Sequence, residues 1–359
     1  MSYNILGINP YHNGSVCVLS NGEIVYFIEE ERLTKLKHDS NPFKAILNAI
    51  NKYKIDEVVI AGINQNDVYL QFSKEDPFYS LIRKLILKNL PYISKVSLYH
   101  HNMHVNHSYF NSPFDECLGV VIDGGGSYIE TKGIELDSIY ICNNNSIEKI
   151  YSEFLKHDFK NPQPLNVART YEAITHYLGF GLGEEGKVMG LSSYGKNDSD
   201  FSPLFVDNKS NPNFVLEKLN PKTLDREFSI NFPTLKLHPK NNNTFTQKQK
   251  NLAWKVQNET QQLVGDYIEK AIKKTGLNQI CCSGGYFLNC VANYYLIKRF
   301  PNSKFYFEPI SSDAGTSIGA SYFRWKKYNP NFKPKPQKTL YYGSNYSKKI
   351  LLEGIKKYT

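Results

Sequence analysis

Residues Leu118 to Ser127 read LGVVIDGGGS, an apolar run that ends in a carboxylate and three glycines. The run suits a buried strand, and the turn after it lets backbone N–H groups approach a phosphate. Far upstream, Leu6-Gly7-Ile8 is followed by a polar loop from Asn9 to Gly14, an apolar segment from Ser15 to Leu19, the turn Asn21-Gly22 and a third strand from Glu23 to Glu29. Asn-Gly between apolar runs is a strong hairpin signal. The later segment repeats this order: after DGGGS come strands near Gly133 to Leu136 and Ser138 to Cys142, then an Asn-rich turn at Asn143 to Asn145. The repeat predicts two similar hairpin-led lobes that present two glycine loops to one phosphate chain.

Just before the second lobe stands YHHNMHVNH, Tyr99 to His107. His100 and His104 share one face of a helix, with about 6 Å between their Cβ atoms, which suits two nitrogens on one metal ion. Asp123 then supplies a carboxylate beside a phosphate-binding turn. The alternative is a solvated histidine cluster.

Elsewhere the pattern alternates strand and helix. Pro42 opens a helix through Tyr53 with Phe43, Ile46, Leu47 and Ile50 on one face, and Glu57 to Gly62 is a buried strand. Pro77 to Leu90 reads as helical, and Val96 to Tyr99 as a short strand. Residues 196–250 are rich in Asn, Lys and Pro and read as an irregular insertion, and Asn251 to Gly276 has the apolar spacing of a long helix. Strand Gln279 to Cys282 leads to Gly284-Gly285 and a helix near Phe287 that carries Asn289 and Asn293, an arrangement that can admit a nucleotide or simply make a tight turn. Strand Lys304 to Phe307 leads to PISSDAGTSIGA, in which Asp313 reads as a site carboxylate or as an exposed N-cap. Asn329 to Lys338 reads as a linker, and residues 341–359 as the start of a further unit.

The 359 residues suffice for two or three domain-sized units, with 41% hydrophobic and 21% charged residues. The net charge of +9 is spread over scattered lysines, so it reads as solvated surface and nucleic acid is disfavoured as a partner. Six cysteines without a C-x-x-C pair fit reduced thiols in a cytoplasmic protein. MSYNILGINP lacks a basic leader, and no apolar run reaches membrane-spanning length, so no membrane role is expected.

Five ordered motifs together resemble the NodU/CmcH-type carbamoyltransferases: LGINPYHNGSVCVLSNGEIVYFIEEERLTKLKHDSNPFKAI, HHNMH, IDGGGS, GFGLGEEGKVMGLSSYG and the pair SGGYFLNCVAN with PISSDAGTSIGAS. The resemblance implies an α/β protein with two ribonuclease-H-like lobes of the actin-like ATPase superfamily and a nucleotide cleft between them. The lobes would span residues 1–115 and 116–328, the second carrying the insertion at 196–250, followed by a linker and the beginning of a truncated C-terminal unit over 329–359. It implies transfer of a carbamoyl group from carbamoyl-adenylate, made from carbamoyl phosphate and ATP, to a hydroxyl or amine of a small-molecule acceptor. The implied metal ligands are His100, His104, Asp123 and Asp313, for iron, with zinc or manganese as alternatives. ATP, ADP or carbamoyl-adenylate, with magnesium, would lie against Gly124, Gly125, Gly284, Gly285 and Asn289, with Lys187 a further phosphate or nucleotide contact. His12 and Lys37 would face the acceptor, His12 as general base; for Lys37 a solvated strand-end lysine is the competing reading.

Two departures stand out. Asn13 follows His12 where the family commonly has Asp, and His107 stands where it usually has a small residue; His107 reads as an incidental surface histidine rather than a spare ligand. The family's YrdC-like adenylating domain is expected to be absent and to be supplied, if at all, by a separate protein. Competing functions are a tRNA threonylcarbamoyl transferase, a sugar-kinase-type phosphotransferase, and a metal- and nucleotide-binding module that is inactive without its partner domain.

Overall fold

The two glycine-centred runs form the middle strands of two sheets with one topology. A computed structural model of the chain describes residues 2–62, 93–96, 100–129, 131–155, 163–181, 183–211, 215–219, 226–230, 244–343 and 346–358. In the first sheet, β1 (Asn4–Asn9), β2 (Ser15–Ser20) and β3 (Glu23–Glu29) are successive antiparallel neighbours. On the other side of β1 lie β4 (Glu57–Ala61) and β5 (Ile93–Val96), both parallel, giving the order β3-β2-β1-β4-β5. In the second sheet, β6 (Glu116–Ile122) pairs with the long β8 (Gly133–Asn143), which pairs with β9 (Ile147–Leu155), all antiparallel; a short β7 (Tyr128–Ile129) extends the edge of β8. Two small sheets follow within the second lobe, a three-stranded one in the order β10 (Gln163–Pro164), β13 (Val215–Leu219), β14 (Arg226–Ile230) and a pair of β11 (Phe205–Val206) with β12 (Lys209–Ser210). Finally β15 (Gln279–Ser283) and β16 (Lys304–Phe307) add in parallel beyond β6. The order β9-β8-β6-β15-β16 repeats that of the first sheet, so the expected duplication is a repeated ribonuclease-H-like sheet, and the fold is that of the actin-like ATPases.

The hairpin turn Asn21-Gly22 has positive φ at both residues, 49° and 85°, as the tight turn signalled by this dipeptide requires. α1 (Glu31–Thr34) and α2 (Phe43–Lys52) follow. The buried Glu30 carboxylate accepts from the Lys44 and Ala45 amides at 3.0 and 2.8 Å and so satisfies the start of α2. α2 buries Ala45, Ile46 and Ala49 against one face of the first sheet, whereas Leu47, expected on that face, is exposed.

The histidine segment forms α3 (His100–Asn111), buried on nearly all sides. α4 (Val167–Tyr177), α5 (Glu185–Ser192) and the long α6 (Gln247–Thr275) belong to the outer side of the second lobe, where Val167, Ile174, Val188, Leu252, Val256 and Val264 share one core. A capping box of Thr246 and Gln249 starts α6 and Gly276 in the left-handed region ends it. α7 (Cys290–Arg299) follows β15, and α8 (Thr316–Tyr328) follows β16. α3 packs on β6 and β15, while α8 packs on β1, β2 and β4, and the two helices pack on each other between the sheets. The strands of the two large sheets come from residues 4–96 and 116–307, and the two central helices pack between them.

Gly7 and Gly119 explain why the repeated motif carries glycine. A Cβ on Gly7 would meet the Ser317 carbonyl oxygen of α8 at 2.0 Å, and one on Gly119 would meet Val105 Cγ2 of α3 at 2.3 Å. Each lobe thus brings its inner helix against the bare backbone of its own central strand or its counterpart's.

The linker-like Asn329 to Lys338 is docked on the body: the Lys335 and Gln337 amides donate to the Phe110 and Asn111 carbonyls at 2.9 and 3.0 Å, and Phe332 packs on Phe110, Tyr322 and Trp325. α9 (Lys348–Tyr358) then presents Ile350, Leu351, Leu352 and Ile355 to solvent. All six cysteines are free thiols and only Cys290 is exposed. No described helix is long and apolar enough to cross a membrane. The expected helix from Pro77 to Leu90 lies outside the described residues.

Candidate metal centre

His100 and His104 project from the first turns of α3 toward two carboxylates, one from each glycine-rich junction. Asp123 stands at the end of β6 and Asp313 in the turn before α8. One donor atom from each of His100, His104, Asp123 and Asp313 lies within 4.8 Å of the other three, and all four residues are buried. His100 Nε2 is 3.4 Å from Asp123 Oδ2 and 3.5 Å from Asp313 Oδ1, and His104 Nε2 is 3.4 Å from Asp313 Oδ1 and 3.3 Å from His100 Nε2. Burial by itself would lower the basicity of His100, but Asp313 and Asp123 beside it raise it to about 10. Burial and mutual repulsion oppose ionisation of Asp123, yet the two imidazoles hold it below the ordinary carboxylate range; Asp313 is held low in the same way by His12 and His100. Two imidazoles and two carboxylates converging on one buried point are a donor set for a divalent metal ion, and the chemistry of the set fits one.

Hydrogen bonds orient the donors. Asp123 Oδ1 accepts from the Gly285 amide at 2.9 Å and Oδ2 from the Gly125 amide at 3.4 Å, so Gly125 and Gly285 meet at one carboxylate. His104 Nδ1 lies 3.3 Å from Ser283 Oγ. Ligand nitrogens held from behind in this way keep their tautomer and aim.

The other expected positions are distributed as follows. Gly124 accepts the Arg169 guanidinium on its carbonyl, and the Gly284 amide donates to Ser311 O at 3.0 Å. Asn289 caps α7 by accepting from the Ala292 amide at 3.0 Å, and its amide donates to Gln257 Oε1 at 2.8 Å. His12 Nε2 is 3.2 Å from Asp313 Oδ2 while two-thirds of its side chain is exposed. Its Nδ1 is 3.2 Å from Asn13 Oδ1, and Asn13 Nδ2 is 3.2 Å from His38 Nδ1. Lys187 is exposed and paired with Glu184, whose carboxyl it lowers; Lys37 from the first lobe acts on the same carboxyl. The two lysines thus approach Glu184 from opposite lobes rather than the buried tetrad.

His107 departs from expectation. It is fully buried, with Nε2 3.3 Å from Glu308 Oε1, because α3 is enclosed by both lobes and has no solvent face there. Asp313 is likewise buried rather than an exposed cap. Arg169, Asn166, Ser283 and Glu308 escaped the sequence reading. The available signal for Arg169 was a charge inside the apolar stretch from Val167 to Ile174.

The family described as Carbamoyltransferase N-terminus matches residues 4–74 and 65–322. The chain belongs to that family. An uncharacterised protein of Synechocystis, sll1178, is 26% identical over 91% of this chain and 58% of its own length. Nodulation protein NolNO of Sinorhizobium fredii is 24% identical over 86% of this chain and 46% of its own length. The chain therefore spans about half the length of these relatives. A crystal structure of full-length HypF in a phosphate- and nucleotide-bound form shares the fold, with a TM-score of 0.51 and 15% identity over 90% of this chain and 55% of that one.

Proposed function

We propose that this carbamoyltransferase-family chain carries the transfer half-reaction: a carbamoyl group passes from carbamoyl-adenylate, made from carbamoyl phosphate and ATP, to a hydroxyl or amine of a small acceptor, which loses a proton as AMP leaves. The observation that carries the reading is the buried tetrad of His100, His104, Asp123 and Asp313, joined directly to the glycine turns after β6 and β15. A divalent ion held there, iron by the family resemblance, would act as a Lewis acid on a carbonyl or phosphoryl oxygen. The turns at Gly124-Gly125 and Gly284-Gly285, whose Gly125 and Gly285 amides hold Asp123, would let a nucleotide approach the backbone closely, and magnesium would accompany the nucleotide.

His12 is the base of this scheme. Asp313 divides its two oxygens, Oδ1 toward His100 and His104 and Oδ2 toward His12. With Nδ1–H donating to Asn13 Oδ1, Nε2 of His12, 3.2 Å from Asp313 Oδ2, is the basic nitrogen, and the exposed ring can reach an acceptor from solvent. Asp313 stabilises the imidazolium that forms when the acceptor gives up its proton. Lys37 and Lys187, gathered at Glu184, would hold anionic groups at the rim. A YrdC-like domain or protein would form the adenylate.

The test is transfer of label from radiolabelled carbamoyl phosphate, with ATP, a divalent metal and a metabolite extract, with and without a YrdC-like domain. Label in an acceptor, lost in His104→Ala, supports the reading. Threonylcarbamoylated tRNA, or γ-phosphate on a sugar, as the product would replace it.

A further inference from the structure

A second buried polar cluster lies one turn further along α3. His107 and Glu308 are both inaccessible to solvent. Glu308 Oε2 accepts from Asn111 Nδ2 at 3.2 Å and from the Tyr306 hydroxyl at 3.1 Å, and Oε1 accepts from the Ile310 amide at 3.1 Å. Tyr322 of α8 completes the network by donating to Asn111 Oδ1 at 2.9 Å. His107 Nε2 lies off the hydrogen-bond direction to Glu308, and neither of its ring nitrogens makes a hydrogen bond. Its Nδ1 faces Gly315, where a Cβ would stand 2.4 Å away.

A buried histidine and carboxylate destabilise the fold unless their geometry is used. His100, His104 and His107 follow one another along one face of α3. The first two meet Asp313, while Glu308 accepts from Asn111 of the same helix and stands 3.3 Å from His107, so a single helical face holds both ends of the segment from Glu308 to Asp313. The middle of that segment is tied to the second glycine turn, since Ser311 Oγ donates to Gly284 O at 2.6 Å. The other end is held as well, the Asp313 carbonyl accepting from Asn9 Nδ2 at 3.0 Å and from the Thr316 hydroxyl at 2.6 Å.

We propose that His107 and Glu308 are a positioning pair that locks the Glu308-to-Asp313 segment onto α3 and so sets the Asp313 carboxylate against His100 and His104. The inference rests on the metal-centre reading above. Groups behind metal ligands typically carry about 10–100-fold in metal affinity.

The experiment is a competition titration of the full chain with Mn2+ against a chromophoric chelator, anaerobically repeated with Fe2+. His107→Ala and Glu308→Gln are expected to weaken binding by roughly 10–100-fold, and His107→Gln, which restores a side-chain donor, to recover part of the loss. Leu252→Ala, in the outer core of the second lobe, is the control: it should lower thermal stability and leave the affinity unchanged. Should His107→Ala fail to fold, Glu308→Gln, which keeps the shape, gives the same comparison. Unchanged affinity in Glu308→Gln and in any folded His107 variant, with affinity lost in His104→Ala, overturns the positioning pair alone. Unchanged affinity in His104→Ala overturns the metal centre and the pair with it.

Discussion

At the scale of single residues, the site turns on how Asp313 shares its oxygens. Oδ1 faces the imidazoles of His100 and His104 and Oδ2 faces His12, so one carboxylate couples the buried centre to the solvent side. His12→Ala should therefore lower kcat for carbamoyl transfer by roughly 10²–10⁴-fold, the usual worth of a general base, while bound metal per chain stays unchanged. Steady-state kinetics with a metal assay check this; an equal fall in metal content would make His12 a supporter of the ligands instead. His100, His104 and Asp123 could be singled out from the sequence because few side chains bind metal and the histidine spacing selects one helical face, whereas Asp313 entered as a donor only through the family resemblance. Glu308 was not legible, since nothing local links it to His107 until α3 and the end of β16 are packed together.

Among elements, each inner helix touches a central strand at a glycine. Gly7→Ala should destabilise the chain by roughly 1–3 kcal/mol as the new methyl meets the Ser317 backbone, measured by urea unfolding. Glu308 gives a pH signature at the α3–β16 contact. Burial raises its carboxyl from 4.5 to about 7, with Tyr306, Cys281 and His107 as facing titratable groups. The folded chain then holds this proton more tightly than the unfolded chain. The resulting stability is complete below about pH 4.5 and is lost as pH rises through about 7. Glu308→Gln should flatten that fall in denaturation midpoints between these limits, and an undiminished slope would show that other groups cause it. Strands and the long α6 were readable from periodicity and caps. β8 was read as two strands because Asp137 interrupts its apolar run, although Asp137 is buried and its carboxyl accepts from Asn166 Nδ2 at 2.8 Å.

On the scale of the whole molecule, the repeat of LGI and LGV foretold two like sheets, but their helices lay beyond what the repeat can say. α3 follows the first sheet in sequence and packs on the second, while α8 follows the second and packs on the first. Each lobe therefore contributes to the centre: α3 and Asp123 from one side of the contact, the turn at Asp313 and His12 from the other. The most direct test of the central claim is metal stoichiometry by elemental analysis after anaerobic loading with Fe2+ and removal of excess, in the wild-type chain and in Asp123→Asn and His104→Ala. One tightly held ion per wild-type chain, and little or none in either variant at equal folding, is the expected result. Equal metal content in all three proteins would contradict it.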